Sequence, residues 1–256
     1  IRVTAAPRAL AVATPEGTQA TSSLTVRNDA LDVAQPLNWT VTEAESDCAS
    51  PSDLPWVSAA QTQGTIERGS SLSIPLTFSA EGLTGPATHN GVLCVSTSDV
   101  KASLIKIPVT FEVRNLRTEL GAIRTQLAGH LSGDSKADKA LRNALDALDD
   151  SIEQRNWLDG ARLAPRHGRQ VFHATSKAVK ELESIDDAPS WATDAVKAIA
   201  SIDETLARIA IDEASAPDAK EAAEKEKAKG DSLLAQGKYA QAIVHYRNAW
   251  ERVASA

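Results

Sequence analysis

The feature that most constrains the fold of this chain is a change of hydrophobic periodicity within Leu104–Leu131. The first part of this segment, LIKIPVTFEV, alternates apolar and polar residues, which is typical of a half-buried strand. From Leu116 onward, apolar residues recur every three or four positions, which is typical of an amphipathic helix. The change contains no Gly-, Pro- or Ser-rich linker. The sequence therefore predicts a β half that ends before Asn115 and an α half that follows it.

Length and charge limit the class of protein. A chain of 256 residues is long enough for two domains of ordinary size, and the change of periodicity places them at residues 1–114 and 115–256. The net charge of −7 argues against a nucleic-acid-binding protein, which normally carries a basic stripe. No apolar run reaches the length of a membrane-spanning helix, so we expect no membrane insertion.

The two cysteines give information about the cellular compartment of the protein. Cys48 and Cys94 both fall in the β half, and their spacing fits neither a CxxC redox motif nor a zinc site. The economical interpretation is a disulfide, with two buried free thiols as the alternative. A disulfide would place the protein at the cell surface, outside the cell or in the periplasm. Methionine is absent even at position 1, so we expect either a mature form that has lost its leader or a piece of a longer protein.

Short alternating or β-branched runs, separated by turn residues, predict a β-sandwich in the first half. The predicted strands are Arg2–Ala5, Ala9–Ala13, Ser22–Arg27, Leu37–Glu43, Ser70–Ser79, Gly91–Thr97 and Leu104–Val113. Pro75 and Pro108 cannot donate to a sheet ladder, so each should face an edge or a bulge. Asn90-Gly91 is a common tight-turn dipeptide, which here marks either a turn or the start of a strand. Trp39 shares a strand face with Leu37 and Val41, which favours a core position.

Three motifs of this half occur in a recognisable order. Leu54–Ser58 reads LPWVS, Gln63–Ile66 reads QGTI, and Ile107–Val113 reads IPVTFEV. This order resembles the immunoglobulin-like accessory domains of secreted bacterial enzymes and surface proteins. The resemblance implies an immunoglobulin-like sandwich with Trp56 packed inside it, and a sugar-stacking role of Trp56 is the alternative. It implies little about function, since such domains serve as spacers as well as binders.

The second half contains four to six amphipathic segments joined by short loops, which predict an antiparallel helical bundle. Asn115 is the predicted N-cap of the first helix, which should extend to Leu131. Asn156–Pro165 is expected to be a loop that contains Trp157. The charges of Glu221–Lys229 alternate in sign, which is typical of a solvated helix face.

The C-terminal segment carries small, apolar and aromatic residues at regular spacing. These residues are Gly230, Leu233, Leu234, Gly237, Tyr239, Ala242, Ile243, Tyr246 and Ala249. Their spacing resembles a tetratricopeptide unit. An array of such units needs several copies to bury a continuous core, and Asn115–Ser215 contains no second copy. The resemblance therefore implies a helical hairpin and gives little reason to expect peptide recognition by it.

The sequence shows no motif for catalysis, metal binding or phosphate binding. Its histidines stand in no HExxH frame, and GxSxG, GxGxxG and GxxxxGK[ST] are absent. The pairs Asp149-Asp150 and Asp186-Asp187 occupy adjacent positions, which diverge around a helix and would not converge as a catalytic pair does. We therefore predict no catalytic residue, no metal, no cofactor and no enzymatic activity.

The leading hypothesis is a non-catalytic accessory or stalk region of a secreted or cell-surface bacterial protein. Such a region would position or stabilise a protein partner, either a missing region of the same precursor or an assembly partner. The alternative is an adhesion module that binds a glycan or a protein, and a hydrolase is the third hypothesis. Trp157 and Trp191 are the candidate partner contacts, because both lie at predicted helix boundaries. Packing into the core is the competing interpretation for both tryptophans.

Overall fold

A computed structural model describes residues 3–29, 36–133 and 135–254 of the chain. The chain forms two compact units, Ile1–Arg114 and Asn115–Ala256. Two positions in the sequence predictions lie outside the described ranges. They are Arg2, the predicted start of the first strand, and Asp134, which follows the predicted end of the first helix. No described helix has the length and apolarity needed to cross a membrane.

The described part of the first unit is a β-sandwich of two sheets. Its strands are β1 Val3–Ala6, β2 Leu10–Pro15, β3 Gln19–Asn28, β4 Leu37–Ala44, β5 Val57–Ala59, β6 Gln63–Ile66, β7 Ser71–Ser79, β8 Ala87–Thr97 and β9 Leu104–Arg114. One sheet has the order β1-β3-β7-β5 and the other has the order β2-β9-β8-β4-β6. Strands β2 and β9 pair in parallel, and the other pairs are antiparallel.

Both sheets bury one face in a common hydrophobic core. The alternation in β7 buries Ile74, Leu76 and Phe78, as the period of two requires. Trp56 lies against aromatic rings from both sheets, with ring centroids 6.3 Å from Phe78 and 5.5 Å from Phe111. The predicted two-sheet sandwich and the core position of Trp56 are therefore confirmed.

Two strands and one glycine differ from the sequence prediction. Strands β5 and β6 are short edge strands, and neither is among the strands predicted from the sequence. Gly91 lies inside β8, so the prediction of a turn or a strand start at this glycine is wrong. A Cβ atom at Gly91 would lie 2.4 Å from Leu54 Cδ1 and 3.2 Å from Trp56 Cζ2. Close packing against these side chains, rather than turn geometry, is what requires glycine here.

The two strand prolines lie just beyond the ends of neighbouring strands. The Pro75 carbonyl accepts a hydrogen bond of 2.9 Å from Ala60 N, immediately after β5 has ended. Because the amide and carbonyl of one strand residue point to the same side, the missing N–H of Pro75 faces the side of β5, beyond the last residue pair of β5 and β7. Pro108 precedes Val109, where the pairing of β9 with β2 begins.

The described part of the second unit is helical. Its helices are α1 Leu116–Ala128, α2 Lys136–Ser151, α3 Arg169–Glu183, α4 Ser190–Glu213, α5 Pro217–Ala235 and α6 Tyr239–Ala254, with a 3₁₀ turn at Gln154–Asn156. All six helices contribute to one core, built mainly from Ala, Leu, Ile and Val. The antiparallel arrangement of the bundle and the tetratricopeptide character of the last two helices stay predictions.

Local signals at the first two helices explain where they begin and end. The Asn115 side chain accepts a hydrogen bond of 2.9 Å from Thr118 N, which confirms the predicted N-cap. Helix α1 ends at Ala128, three residues before the predicted Leu131, because the chain turns at Gly129. Helix α2 begins with a capping box formed by Ser135 and Asp138.

The last two helices form a tightly packed hairpin. Gly237 adopts a φ of 72° in the turn between them, a conformation that glycine tolerates best. A Cβ atom at Gly230 would lie 2.5 Å from Tyr246 Cε1, so α5 and α6 approach closely at this point. Lys225 pairs with Glu221 and Lys227 with Asp231 one turn apart on α5. These pairs are what the alternating charges predict.

Candidate functional site

The two cysteines form a disulfide that joins the loop after β4 to β8. Cys48 and Cys94 have Cα atoms 5.7 Å apart and are bonded through sulfur, which confirms the predicted disulfide. Beside it, the Lys106 Nζ atom of β9 lies 2.8 Å from Asp47 Oδ1. Because the bond uses both thiols, neither can act as a nucleophile or a metal ligand in this state. The disulfide is a covalent brace of the β unit.

The tryptophans of the β unit are core residues. Trp39 on β4 and Trp56 before β5 are both buried. Gly64 of β6 leaves room for the Trp39 indole, since a Cβ atom there would lie 3.3 Å from its Cζ2 atom. Neither ring is exposed for stacking on a sugar, so the sugar-stacking alternative has no support in this unit.

Trp157 is also a core residue, so its prediction as an exposed partner contact is wrong. Its side chain is 4% exposed, and its Nε1 atom donates a hydrogen bond of 2.8 Å to the Ser151 carbonyl. The 3₁₀ turn folds the chain back at this point, and a bridge between Trp157 and Leu163 closes the loop. Asn156 fixes the turn through a hydrogen bond of 2.9 Å to the Asp150 carbonyl.

Trp191, the other candidate contact, lies half-buried in the first turn of α4. One part of it packs against the helical core. Its ring stacks on the exposed His130 imidazole, with centroids 4.4 Å apart and planes at 8°. The next residue, Leu131, is 39% exposed. We call the stacked pair Trp191 and His130 the aromatic platform. The sequence identified Trp191 but not His130, because no spacing rule links residues so far apart in the chain.

Hydrogen bonds on both sides of His130 fix the chain that carries this half of the aromatic platform. The chain after α1 is fixed by a hydrogen bond of 3.0 Å from His130 N to the Leu127 carbonyl. At the start of α2, the Asp138 carboxylate accepts hydrogen bonds from Ser132 N, at 2.9 Å, and from the Ser135 hydroxyl, at 2.7 Å. These bonds lower the pKa of Asp138 to about 2. These hydrogen bonds hold Ser132, which follows the platform in the chain, at the start of α2.

The acidic pairs noted in the sequence serve as ion-pair partners. Asp149 accepts two hydrogen bonds of 2.9 Å from the Arg124 guanidinium, and Asp186 lies 3.0 Å from Lys136 Nζ. Within the described ranges, no three His, Cys, Asp or Glu side chains cluster in a way that could hold a metal ion.

The most unusual ionisable group is Asp203, in the middle of α4. It is 0% exposed, and neither of its carboxylate oxygens has a hydrogen-bond partner. Burial raises the pKa of Asp203 well above its ordinary value, against a smaller lowering effect of the Thr175 hydroxyl. That hydroxyl is directed at the Val171 carbonyl, at 2.9 Å, so we do not assign it as a donor to Asp203. No substrate could reach this carboxyl, and we interpret Asp203 as a determinant of stability.

A polar network near Asp203 ties α4, α5 and α6 together. The Lys227 Nζ atom lies 2.6 Å from Glu204 Oε1 and 3.0 Å from Asp231 Oδ2. The Tyr246 hydroxyl donates a hydrogen bond of 3.1 Å to Asp231. Burial and the nearby Asp231 raise the pKa of Tyr246 far above its usual range. Each group has a partner inside the network, which indicates a structural role.

No known protein family matches the chain, and no curated protein shows significant sequence similarity to it. Solved structures with similar folds include a PapD-like domain of human CEP192, at 13% identity and a TM-score of 0.34, over 44% of this chain and 84% of that one. A second is the CsuC–CsuE chaperone–adhesion subunit complex of Acinetobacter baumannii, at 11% identity and a TM-score of 0.36, over 45% and 53%. A third is a family 123 glycoside hydrolase of Clostridium perfringens, at 12% identity and a TM-score of 0.34, over 54% and 30%. Likenesses at this level assign no activity, ligand or partner to this chain.

Proposed function

We propose that the chain is a non-catalytic accessory region of an exported bacterial protein that binds a protein partner through the aromatic platform. The partner is either another region of the same precursor or a separate assembly partner. The observation that carries the proposal is the half-buried indole of Trp191 stacked on the exposed ring of His130. Tryptophan is enriched among the residues that dominate the energy of protein interfaces.

The disulfide supports the cellular location that this proposal assigns to the protein. A bond between Cys48 and Cys94 persists in oxidising surroundings and is rare in proteins of the cytosol. The proposed location is therefore the cell surface or the extracellular medium, with the periplasm as the alternative.

A protein partner suits the aromatic platform better than a glycan. Sugar-binding sites expose aromatic faces on which a sugar ring can stack, whereas one face of Trp191 is taken by the His130 ring and other parts of it pack on the core. The exposed side chain of Leu131 follows His130 in the chain and adds apolar surface. Apolar and aromatic side chains side by side are typical of the centre of a protein–protein interface.

The proposal is tested with the full chain carrying Trp191→Ala. Proteins captured by the wild type from the envelope and secreted fractions of the source organism are identified, purified and titrated by calorimetry. Removing a central tryptophan typically costs about 2 kcal/mol or more of binding energy, so the dissociation constant should rise by about 30-fold. Leu158→Ala is the matched control, because Leu158 is 62% exposed on another loop and its loss should leave the affinity unchanged.

Folding must be separated from binding in this experiment. Trp191→Phe keeps an aromatic ring that can stack on His130 and should recover most of the affinity, whereas general unfolding would weaken all contacts. Equal affinity of wild type and Trp191→Ala would contradict the proposal. Retention of a glycan on an array, lost in Trp191→Ala, would favour the adhesion alternative instead.

A further inference from the structure

A basic face of α3 stands out on an acidic chain. The chain has 34 acidic residues against 27 Lys and Arg, yet the segment Arg166–Lys180 contains neither Asp nor Glu. Several of its basic side chains are exposed, and they recur three or four residues apart: Arg169, His173, Lys177 and Lys180. Residues at this spacing lie on one face of a helix. The face is therefore a local positive region.

This face borders a groove between α3 and α6. Two depressions, of about 320 and about 460 Å³, share His173 and Arg247 in their walls. One carboxylate also lines each of them, Glu181 in the smaller and Glu251 in the larger, so basic side chains outnumber acidic ones along the groove. Phe172 and Val244 line the smaller one and give it an apolar floor. We call the five basic residues along this groove the basic groove: Arg169, His173, Lys177 and Lys180 of α3, and Arg247 of α6.

The cations of the basic groove have unused hydrogen-bonding capacity. Within the described residues, Arg169, Lys177 and Lys180 form no ion pair within 4.0 Å. Arg247 is more engaged, since it forms an ion pair of 3.8 Å with Glu251 and donates a hydrogen bond of 3.2 Å to the Asn248 side chain, although its Nε atom has no hydrogen-bond partner. On α5, by contrast, several lysines have carboxylate partners, such as Lys225 with Glu221 and Lys227 with Glu204. The exposed side chains of Arg169, Lys177 and Lys180 are therefore available to a ligand that supplies carboxylates.

We propose that the basic groove binds an acidic peptide segment of a partner protein. Carboxylates match the exposed guanidinium of Arg169 and the ammonium groups of Lys177 and Lys180. From Arg169 to Lys180 the helix rises by about 16 Å, which is the length of about five residues of extended peptide. Phe172 and Val244 would accommodate an apolar side chain of the same segment.

The apolar floor favours a peptide over other anionic ligands. An acidic polysaccharide or an inorganic anion carries no apolar side chain, so it would contact the rim and leave Phe172 and Val244 without a partner. A peptide that combines glutamate and leucine uses both parts of the groove. The proposal does not depend on the aromatic platform, which involves different residues.

The test is fluorescence anisotropy with a labelled peptide of alternating glutamate and leucine, added to the full chain. The groove variant is Arg169→Glu/Lys177→Glu, and its charge-matched control is Lys197→Glu/Lys220→Glu on α4 and α5. Each exposed charge pair contributes up to about 1 kcal/mol, and reversing two of them should raise the dissociation constant by about tenfold or more. The control variant should bind as the wild type does, and added salt should weaken binding.

Three outcomes would overturn the proposal. In the first, both variants lose affinity equally, which indicates non-specific attraction. In the second, a peptide with glutamine in place of glutamate binds as well as the acidic peptide. In the third, heparin binds more tightly than the peptide with the same sensitivity to the groove variant, which indicates a sulfated polysaccharide.

Two controls separate this proposal from the others. Trp191→Ala should leave peptide binding unchanged, so failure of the basic-groove proposal can be distinguished from failure of the proposal for the aromatic platform. Circular dichroism checks that every variant is folded.

Discussion

The β unit and the helical unit use tryptophan in different ways. In the β unit, Trp56 lies between the sheets and contacts Phe78 and Phe111, so the aromatic rings fill the centre of the core. In the helical unit, Trp157 and Trp250 are buried in a mainly aliphatic core, whereas Trp191 is half-buried at the start of a helix with its ring stacked on His130. Burial in the folded unit, rather than position along the chain, therefore decides which tryptophan is a contact candidate.

The two units also depend on different chemistry for stability. The β unit has a covalent brace between Cys48 and Cys94. The helical unit has no cysteine, and its interior holds a carboxyl, Asp203, whose oxygens have no hydrogen-bond partner. The comparison indicates that the β unit should respond to reduction and the helical unit to pH. The predictions below test this difference.

The largest expected effect is removal of the disulfide by Cys48→Ala/Cys94→Ala. The bond closes a loop with a sequence separation of 46 residues, and the chain-entropy relation assigns about 4 kcal/mol to a loop of this length. Hydrogen exchange measured by mass spectrometry should show faster exchange in peptides of β4, β8 and β9. Peptides of α2 and α4 should keep their protection, and equal loss in both sets would contradict the comparison.

The disulfide itself can be checked on the native protein. Intact mass after alkylation should show Cys48 and Cys94 unreactive until the protein is reduced. Two alkylated thiols in the unreduced protein would contradict the disulfide. The expected stabilisation of the β unit and the inferred oxidising compartment would then both lack support.

The second prediction concerns Asp203→Asn and the pH dependence of the helical unit. Burial raises the pKa of Asp203 above that of the unfolded chain, which is about 3.9. The native state therefore keeps a proton that the unfolded state releases. The stability from this group is complete below the unfolded pKa and is lost as pH rises toward the native pKa, by about 1.4 kcal/mol per pH unit. The variant Asp203→Asn should not lose this stability as pH rises, because asparagine does not ionise.

Chemical unfolding followed by the helical circular dichroism signal measures this effect. Between about pH 5 and about pH 7, the free energy of unfolding of Asp203→Asn should gain up to about 3 kcal/mol relative to the wild type. Asp194→Asn is the control, since Asp194 is exposed on the same helix and should follow the wild type. Parallel curves for Asp203→Asn and the wild type would show that Asp203 is not held protonated.

The sequence predicted much of the fold because periodicity reports which face of an element is buried. The alternation in β7 and the N-cap at Asn115 were both found where the pattern placed them. The short strands β5 and β6 were missed, because three or four residues are too few to establish a period. Their existence depends on pairing with β7 and β4.

The candidate sites were harder to predict than the fold. Trp157 and Trp191 look alike in the sequence, since both stand near helix boundaries. Trp157 is buried because a turn folds it onto the core and the Ser151 carbonyl accepts its N–H. Trp191 remains half-buried at the start of α4 and meets His130 from a distant segment. Such contacts arise from tertiary packing, on which local sequence gives no information.

The smallest expected effect concerns Gly230 of the helical unit, which packs closely on an aromatic ring as Gly91 does in the β unit. In Gly230→Ala, the new methyl group would lie 2.5 Å from Tyr246 Cε1, so the ring must move or the helices must separate. Overpacking of this kind costs about 1–3 kcal/mol. Gly121→Ala is the matched control, because Gly121 lies in α1 with nothing within 4 Å of the new methyl group. That change should stabilise the helix by up to about 1 kcal/mol. Chemical unfolding should therefore move the two variants in opposite directions. A stabilising Gly230→Ala would show that α5 and α6 do not depend on this close approach, and would remove the main support for a tetratricopeptide-like hairpin.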